Sequence, residues 1–330
     1  MINLNPFVEQ VRRTVESHRL SEGVYCRWLW QNEANDRELG ANEYGCADAA
    51  NLLYTIGDFP KDSLKRAEWV NALQGMQNPE TGLFTEKTHH SIHTTAHCTA
   101  ALELFDALPQ YPLHNLEPYR DHDAMRGLLA SLNWEGNPWP QSHQGAGLYA
   151  SFVITRMADA AWQDAYFQWL SDNADPVTGL GLKDRRGNAP LAHQLYGWFH
   201  YFFNHEHAHR PIPYPEQLID SCIDLYRSRQ LSPVFSREVG FMEIDWIFAM
   251  NRASRQTTHR FEEVKALLWE MAQDFLPWLM SLDETTHDGF NDLHMLFGAA
   301  CAAAELQIAL PGKIRTVVPL KNVLDRRPFI

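Results

Sequence analysis

Asn78-Pro79-Glu80-Thr81-Gly82-Leu83-Phe84 and Asp175-Pro176-Val177-Thr178-Gly179-Leu180 repeat one pattern, Asn/Asp-Pro-x-Thr-Gly-Leu, in two distant parts of the chain. Proline presets a turn and glycine supplies a positive φ, so both stretches read as the same turn. Asp288-Gly289-Phe290 reads as a third copy. Each turn follows a helix-like segment with a tryptophan: Trp69, Trp169 and Trp278. Self-similarity of this kind marks a repeat architecture.

After each turn comes a segment that is small and polar at its start and apolar later. The polar openings are Glu43-Tyr44-Gly45-Cys46-Ala47-Asp48, His93-Thr94-Thr95, Gln141-Ser142-His143-Gln144, His193-Gln194, Met242-Glu243-Ile244-Asp245-Trp246 and Asp292-Leu293-His294. They recur at a period of about fifty residues. Pro60, Pro109, Pro211 and Pro311 close several of them, and a proline just past a helix is a stop signal. Between them lie amphipathic, more charged stretches at 5–19, 62–76, 119–131, 160–173, 214–229 and 261–281, with apolar residues at helical spacing. Six outer helices thus alternate with six inner ones. β-strand signals are nearly absent, and Val317-Val318 is the one place where a short strand would be tolerated.

The fold class expected is all-α: an (α/α)6 toroid of six helical hairpins, one domain over residues 1–330. Inner helices ringed by outer ones should be poor in charge, as 94–102 and 295–304 are. Ala299, Ala300, Ala302, Ala303 and Ala304 would let them approach closely. The longest connections lead from outer to inner helices, and long retained loops often carry function. The functional mouth is therefore expected at the N-terminal ends of the inner helices, which also carry partial positive charge.

The formal net charge is −13, and the basic clusters are short: Arg12-Arg13, Arg185-Arg186 and Arg326-Arg327. Nucleic acid and anionic membranes are not expected partners. Five widely spaced cysteines without a Cys-x-x-Cys read as small buried hydrophobes in a reducing compartment. Residues 1–20 lack an apolar signal core, and no apolar run approaches the ~20 residues of a membrane span. A cytoplasmic location is expected.

The hairpin count and the Gln77–Phe84 turn after Trp69 resemble the (α/α)6 toroid families. The polar inner-helix openings look like those of carbohydrate-active toroids: six-hairpin glycoside hydrolases, toroid polysaccharide lyases and the N-acylglucosamine epimerase group. The turn itself is similar to the repeats of terpene-cyclase and protein-prenyltransferase toroids. The resemblance implies a fold, not a site, because no family motif matches residue by residue. The Asp-x-Asp-Asp and Asp-Asp-x-x-Asp motifs of cyclases are missing, as is a His-Pro-Gly-His epimerase signature.

The mouth residues have the chemistry of a sugar pocket. Glu43, Asp48, Glu243, Asp245 and Asp292 are the candidate catalytic carboxylates. Glycosidic cleavage needs two carboxyl groups, one protonated and one ionised. Asp48 on the first inner helix and Asp245 or Glu243 on the fifth could supply them. Tyr44, Trp139, Trp198 and Trp246 offer faces for sugar rings; Gln141, Gln144 and Gln194 offer hydrogen bonds. His93, His97, His143, His193 and His294 complete the substrate-binding set. Each carboxylate has a structural competitor, since an aspartate at a helix start also serves as a cap. His90, His93 and His97 fall on one helix face, a metal-ligand spacing that lacks the glutamate of His-Glu-x-x-His. Hydrogen-bonded cavity histidines are the favoured reading, so no metal and no cofactor are expected.

The leading expectation is a glycoside hydrolase with a saccharide or other small polar substrate. The alternatives are a sugar-acid lyase or epimerase using His93, His143, His193 and Tyr44, a prenyltransferase- or cyclase-like toroid with an apolar tunnel, and a non-catalytic sugar-binding protein.

Overall fold

Residues 1–184 and 187–330 are described by a computed structural model; the Arg185-Arg186 pair lies outside the described residues. The chain is all-helical apart from short strands. The helices are α1 (Asn5–Ser17), α2 (Glu43–Ile56), α3 (Ser63–Gln74), α4 (Ser91–Leu104), α5 (His122–Ser131), α6 (Pro138–Ile154), α7 (Ala160–Asn173), α8 (Leu191–His207), α9 (Pro215–Arg227), α10 (Met242–Ala253), α11 (Phe261–Ser281), the single turn α12 (Asp288–Asn291) and α13 (Leu293–Ala309).

Two kinds of helix alternate, for reasons visible in their residues. In α1 the buried positions Phe7, Gln10, Val11, Thr14 and Val15 form a stripe at helical spacing, and the opposite face is turned to water. In α10 every residue is buried. α2, α4, α6, α8 and α13 are likewise buried over most of their length. These buried helices pack in sequence, α2 on α4, α4 on α6, α6 on α8, α8 on α10 and α10 on α13, and α13 returns to α2. Many helix–helix contacts of this kind are compatible with a helical toroid. Side-chain caps fix several helix starts. Asn42 accepts from the Tyr44 and Gly45 amides, and Asp292 from the His294 amide.

The repeated turn has one geometry in both copies. The Asn78 side chain accepts from the Glu80 and Thr81 amides, at 2.9 and 3.0 Å, and the Gly82 amide donates to the Asn78 carbonyl. In the second copy the Asp175 side chain accepts from the Val177 amide at 3.0 Å, and the Gly179 amide donates to the Asp175 carbonyl. Gly82 and Gly179 sit at φ +74° and +67°. The third copy is not at Asp288-Gly289-Phe290, as expected. It lies earlier, where Asp283 accepts from the Thr285 amide and its carbonyl from the His287 amide. The Asp-x-Thr-Thr there lacks the proline and glycine that made the other copies legible.

The strand tolerated at Val317-Val318 is absent; both residues are exposed. The strand instead spans Ile314–Arg315 and pairs in parallel with Ile2–Asn3. A hairpin of Arg19–Ser21 and Val24–Tyr25 adds a second small sheet. Among the described residues no helix is long and apolar enough to cross a membrane.

One feature has no signal in the sequence. The segment Asn322–Ile330 enters the ring from the C-terminal ends of the buried helices, with Phe329 fully buried. Arg327 donates to the Phe329 carbonyl at 2.5 Å and to Asn51 of α2, while Asn204 of α8 donates to the Pro328 carbonyl at 3.0 Å. Glu305 of α13 receives Arg252 of α10 and Asn322.

The turn supports a paired prediction. A β-carbon on Gly82 would lie 1.9 Å from the Pro112 carbonyl oxygen, whereas one on exposed helical Gly127 would meet nothing within 4 Å. Gly82→Ala should destabilise by ~3 kcal/mol or more, from positive φ plus overlap, and Gly127→Ala should stabilise by ~0.5–1 kcal/mol. Urea unfolding measures both, and a wild-type midpoint for Gly82→Ala would contradict the turn assignment.

Candidate active site: a histidine-walled cavity

The six polar openings stand at or next to the N-terminal ends of the buried helices. There a cavity of about 180 Å³ is walled by His89, His93, His143, His200 and His294, with Arg27 and Asp245. Trp139, Phe241, Met295 and Ile330 supply its apolar surface. A larger cleft of about 700 Å³ lies beside α9 and α11. Its wall carries no cluster of buried titratable groups, so the smaller cavity is the stronger candidate.

Asp48 of α2 organises one wall. It is fully buried, and each oxygen meets a different histidine: Oδ1 to His97 Nε2 at 2.7 Å, Oδ2 to His294 Nδ1 at 3.1 Å. A carboxylate only accepts, so both nitrogens donate. The tautomers follow: His97 is protonated at Nε2 and His294 at Nδ1, which leaves His294 Nε2 with its lone pair. Burial alone would raise the Asp48 carboxyl, but the two histidines outweigh it and hold the group below the usual carboxylate range. Burial holds His294 neutral at pH 7 and lowers its pKa to about 4, against the opposing pull of Asp48.

The opposite wall holds His93, His143 and His200 from α4, α6 and α8. One ligand atom from each lies within 4.8 Å of the others. His93 Nδ1 is 2.5 Å from the Tyr44 hydroxyl. His200 Nδ1 donates to the Gly197 carbonyl at 3.3 Å. His143 Nε2 is buried without a partner. Burial pushes all three imidazoles down, His200 to about 4.

Asp245 is the one carboxyl that lines the cavity. It is buried, and neither oxygen has a hydrogen-bond partner. Burial, with Glu243 nearby, pushes its pKa well up. Glu243 does not line the cavity; its Oε1 accepts from the Ser236 amide at 2.8 Å in the loop before α10. Glu43 is half-buried and also off the cavity wall. Asp292 caps α13 and takes a two-pronged bond from Arg27 at 2.8 and 3.0 Å. Of five expected catalytic carboxylates, the structure brings one to the cavity.

The expected aromatic platforms mostly turn away. Trp198 packs against Trp134 and Tyr201, and Trp246 stacks on Tyr226 and donates to the Cys222 carbonyl. Both are buried, Trp246 against α9 and Trp198 against Trp134 of the loop before α6, and of the three tryptophans Trp139 alone reaches the cavity. Tyr44 is buried behind the histidines, stacked on His89 and His97. Gln144 bonds Gln141, and Gln194 donates to the Trp134 carbonyl. Neither these amides nor His193, which packs near Trp139 and Tyr196, line the cavity.

Sequence reasoning missed Arg27, His89 and His200. His90, expected on the histidine face, instead caps α4 from an exposed position, and its neighbour His89 turns inward. His200 lies seven residues after His193, two helical turns further into α8. All five cysteines are free and buried, as their spacing suggested. No protein family, curated protein or solved structure matches the chain.

Glu243 gives a test of the site's burial. Desolvation raises its pKa from the ordinary glutamate value of 4.5 to about 7. The unfolded chain ionises first, so the stability contributed by the protonated form is complete below pH 4.5 and lost as pH rises through 7. The stability of wild type relative to Glu243→Gln should therefore fall by ~3 kcal/mol across that window. Denaturant titrations at several pH values measure it; a flat difference would contradict the buried, neutral assignment.

Proposed function

We propose that the chain is an (α/α)6 toroid enzyme acting on a monosaccharide-sized compound, and that it moves a proton next to a carbonyl, as an epimerase or lyase does. The observation that carries this reading is the Asp48–His294 pair. Asp48 fixes His294 as the Nδ1–H tautomer on a cavity wall, so the free Nε2 is oriented as a base. When Nε2 takes a proton, the Asp48 carboxylate stabilises the imidazolium formed. His97 anchors Asp48 from the other side.

Paired-carboxylate hydrolysis, the leading expectation from sequence, fits less well. It needs two carboxyl groups flanking the bond, and Asp245 alone lines the cavity while both oxygens of Asp48 are engaged by histidines. The isoprenoid alternative asks for an apolar tunnel, whereas five histidines wall this cavity. Its volume of about 180 Å³, below the ~300 Å³ at which drug-sized pockets begin, suits one small ring rather than a polymer. A reducing, cytoplasmic setting accords with the free cysteines and remains part of the proposal.

The test is deuterium wash-in from D2O, read by NMR over a panel of sugar acids, ketoses and amino sugars. Wild type should exchange a carbon-bound proton beside a carbonyl or carboxylate. His294→Gln should lower that rate ~10²-fold or more. Asp48→Asn should also slow it and move the acid limb of the pH profile, set by His294 near pH 4, to lower pH. Exchange at the wild-type rate in His294→Gln, or saturated products carrying water-derived oxygen without exchange, would contradict the reading.

A further inference from the structure

Abstraction of a proton beside a carbonyl leaves negative charge on oxygen, and the base alone cannot stabilise it. Arg27 is the cation nearest to hand, yet its guanidinium is committed to Asp292, Thr88 and Glu86, with Nη1 2.8 Å from Thr88 and 3.8 Å from Glu86. The electrophile must come from elsewhere in the cavity.

We infer that His93, His143 and His200 bind one divalent ion of the zinc type, with its remaining coordination position open to the cavity. This rests on the proton-transfer reading for its purpose but not for its geometry. The three side chains come from α4, α6 and α8, consecutive members of the buried ring, so the backbone holds them rigidly. Their ligand atoms already lie within 4.8 Å of one another. Three nitrogens bound at ~2.0–2.1 Å around a tetrahedral ion stand ~3.4 Å apart, so the rings need close by no more than ~1.4 Å.

The supporting contacts are those that metal-ligating histidines use. A ligating imidazole donates its other N–H to a fixed acceptor. His200 Nδ1 does so to the Gly197 carbonyl, and His93 Nδ1 faces the Tyr44 hydroxyl oxygen. In that tautomer both Nε2 lone pairs are free for an ion. His143 Nε2, buried and unpartnered, is a polar atom that protein groups leave unsatisfied. Asp245, 1% exposed with both oxygens unpartnered, lines the same cavity and adds an oxygen donor that no protein group occupies. Three imidazoles favour zinc and its neighbours over magnesium or calcium. The ring centres of His93 and His294 are 6.4 Å apart, so an ion on the trio would share the substrate with the base.

Asp48, His97 and His294 are a second cluster of possible ligands within the same 4.8 Å limit. The atoms that face one another there are satisfied without an ion, because each histidine nitrogen facing Asp48 donates a proton to it, although His97 Nδ1 is itself buried without a partner. The trio has no such internal pairing.

The experiment is calorimetric titration of the chelator-stripped full chain with ZnCl2, with metal content measured after gel filtration. One equivalent should be retained. His143→Ala and His200→Ala should each weaken binding ~100-fold or more, and Tyr44→Phe should weaken it ~10-fold through the His93 contact. His294→Gln should keep its zinc while losing proton exchange, so failure of the base assignment would leave zinc binding intact, and failure of the zinc site would leave exchange to be explained by His294 alone. Loss of all zinc from wild type on gel filtration, or unchanged affinity in His143→Ala and His200→Ala, would overturn the inference. Should those variants fail to fold by circular dichroism, Co2+ added to wild type decides: a visible d–d band of a nitrogen-bound four-coordinate ion supports the site, and its absence overturns it.

Discussion

The carboxylate of Asp48 ties together three helices of the buried ring. It stands on α2 and receives one histidine from α4 and another from α13, the two ring neighbours of α2. A buried charge without partners is costly, while one that accepts two well-placed N–H bonds is tolerated. The price of burying Asp48 is thus met by the groups whose tautomers it dictates. Structure and chemistry are coupled here: the bonds that allow the carboxylate inside the ring also aim His294 at the cavity.

The rest of the cavity obeys the same constraint. A ring of helices with a wholly polar centre would be too costly to bury, and one with a wholly apolar centre would have no chemistry. Neutral imidazoles resolve this, since burial removes their charge more readily than it strands an ionised carboxylate. His93, His143, His200 and His294 are all displaced toward the neutral form. From the far end, Phe329 closes the centre against His93, with ring centres 4.9 Å apart, and Arg327 secures the segment that carries it. The cavity is therefore shallow and small.

The all-helical class and the alternation of striped and buried helices were legible because they rest on local chemistry. Turn residues with fixed φ demands, capping side chains and the contrast between striped and fully buried helices all leave marks at fixed offsets. The segments expected at 160–173 and 261–281 form helices with those bounds. Where the turn chemistry changed, as at Asp283, the register of the reading slipped. Side-chain direction within a helix opening was much less legible. His89 and His90 are adjacent, and which one turns inward depends on where α4 begins, a detail of one residue. Glu243 and Asp245 share one opening yet face different surroundings, because successive helix positions lie about 100° apart. Trp198 and Trp246 look like sugar platforms by composition but are buried away from the cavity, Trp198 against Trp134 and Trp246 against Tyr226 of α9. The segment 322–330 gave no warning, since its position is set by long-range contacts to Asn51, Asn204 and Glu305.

The proposed chemistry depends on Asp48 fixing His294 as a neutral imidazole with Nε2 free. Two-dimensional ¹⁵N–¹H correlation spectra of the histidine side chains test it directly, with His294 assigned by comparison to His294→Gln. At pH 7 the account predicts His294 as the neutral Nδ1–H tautomer, persisting until the pH approaches 4. An Nε2–H tautomer, or an imidazolium already formed near the unperturbed pKa of ~6.5, would contradict it.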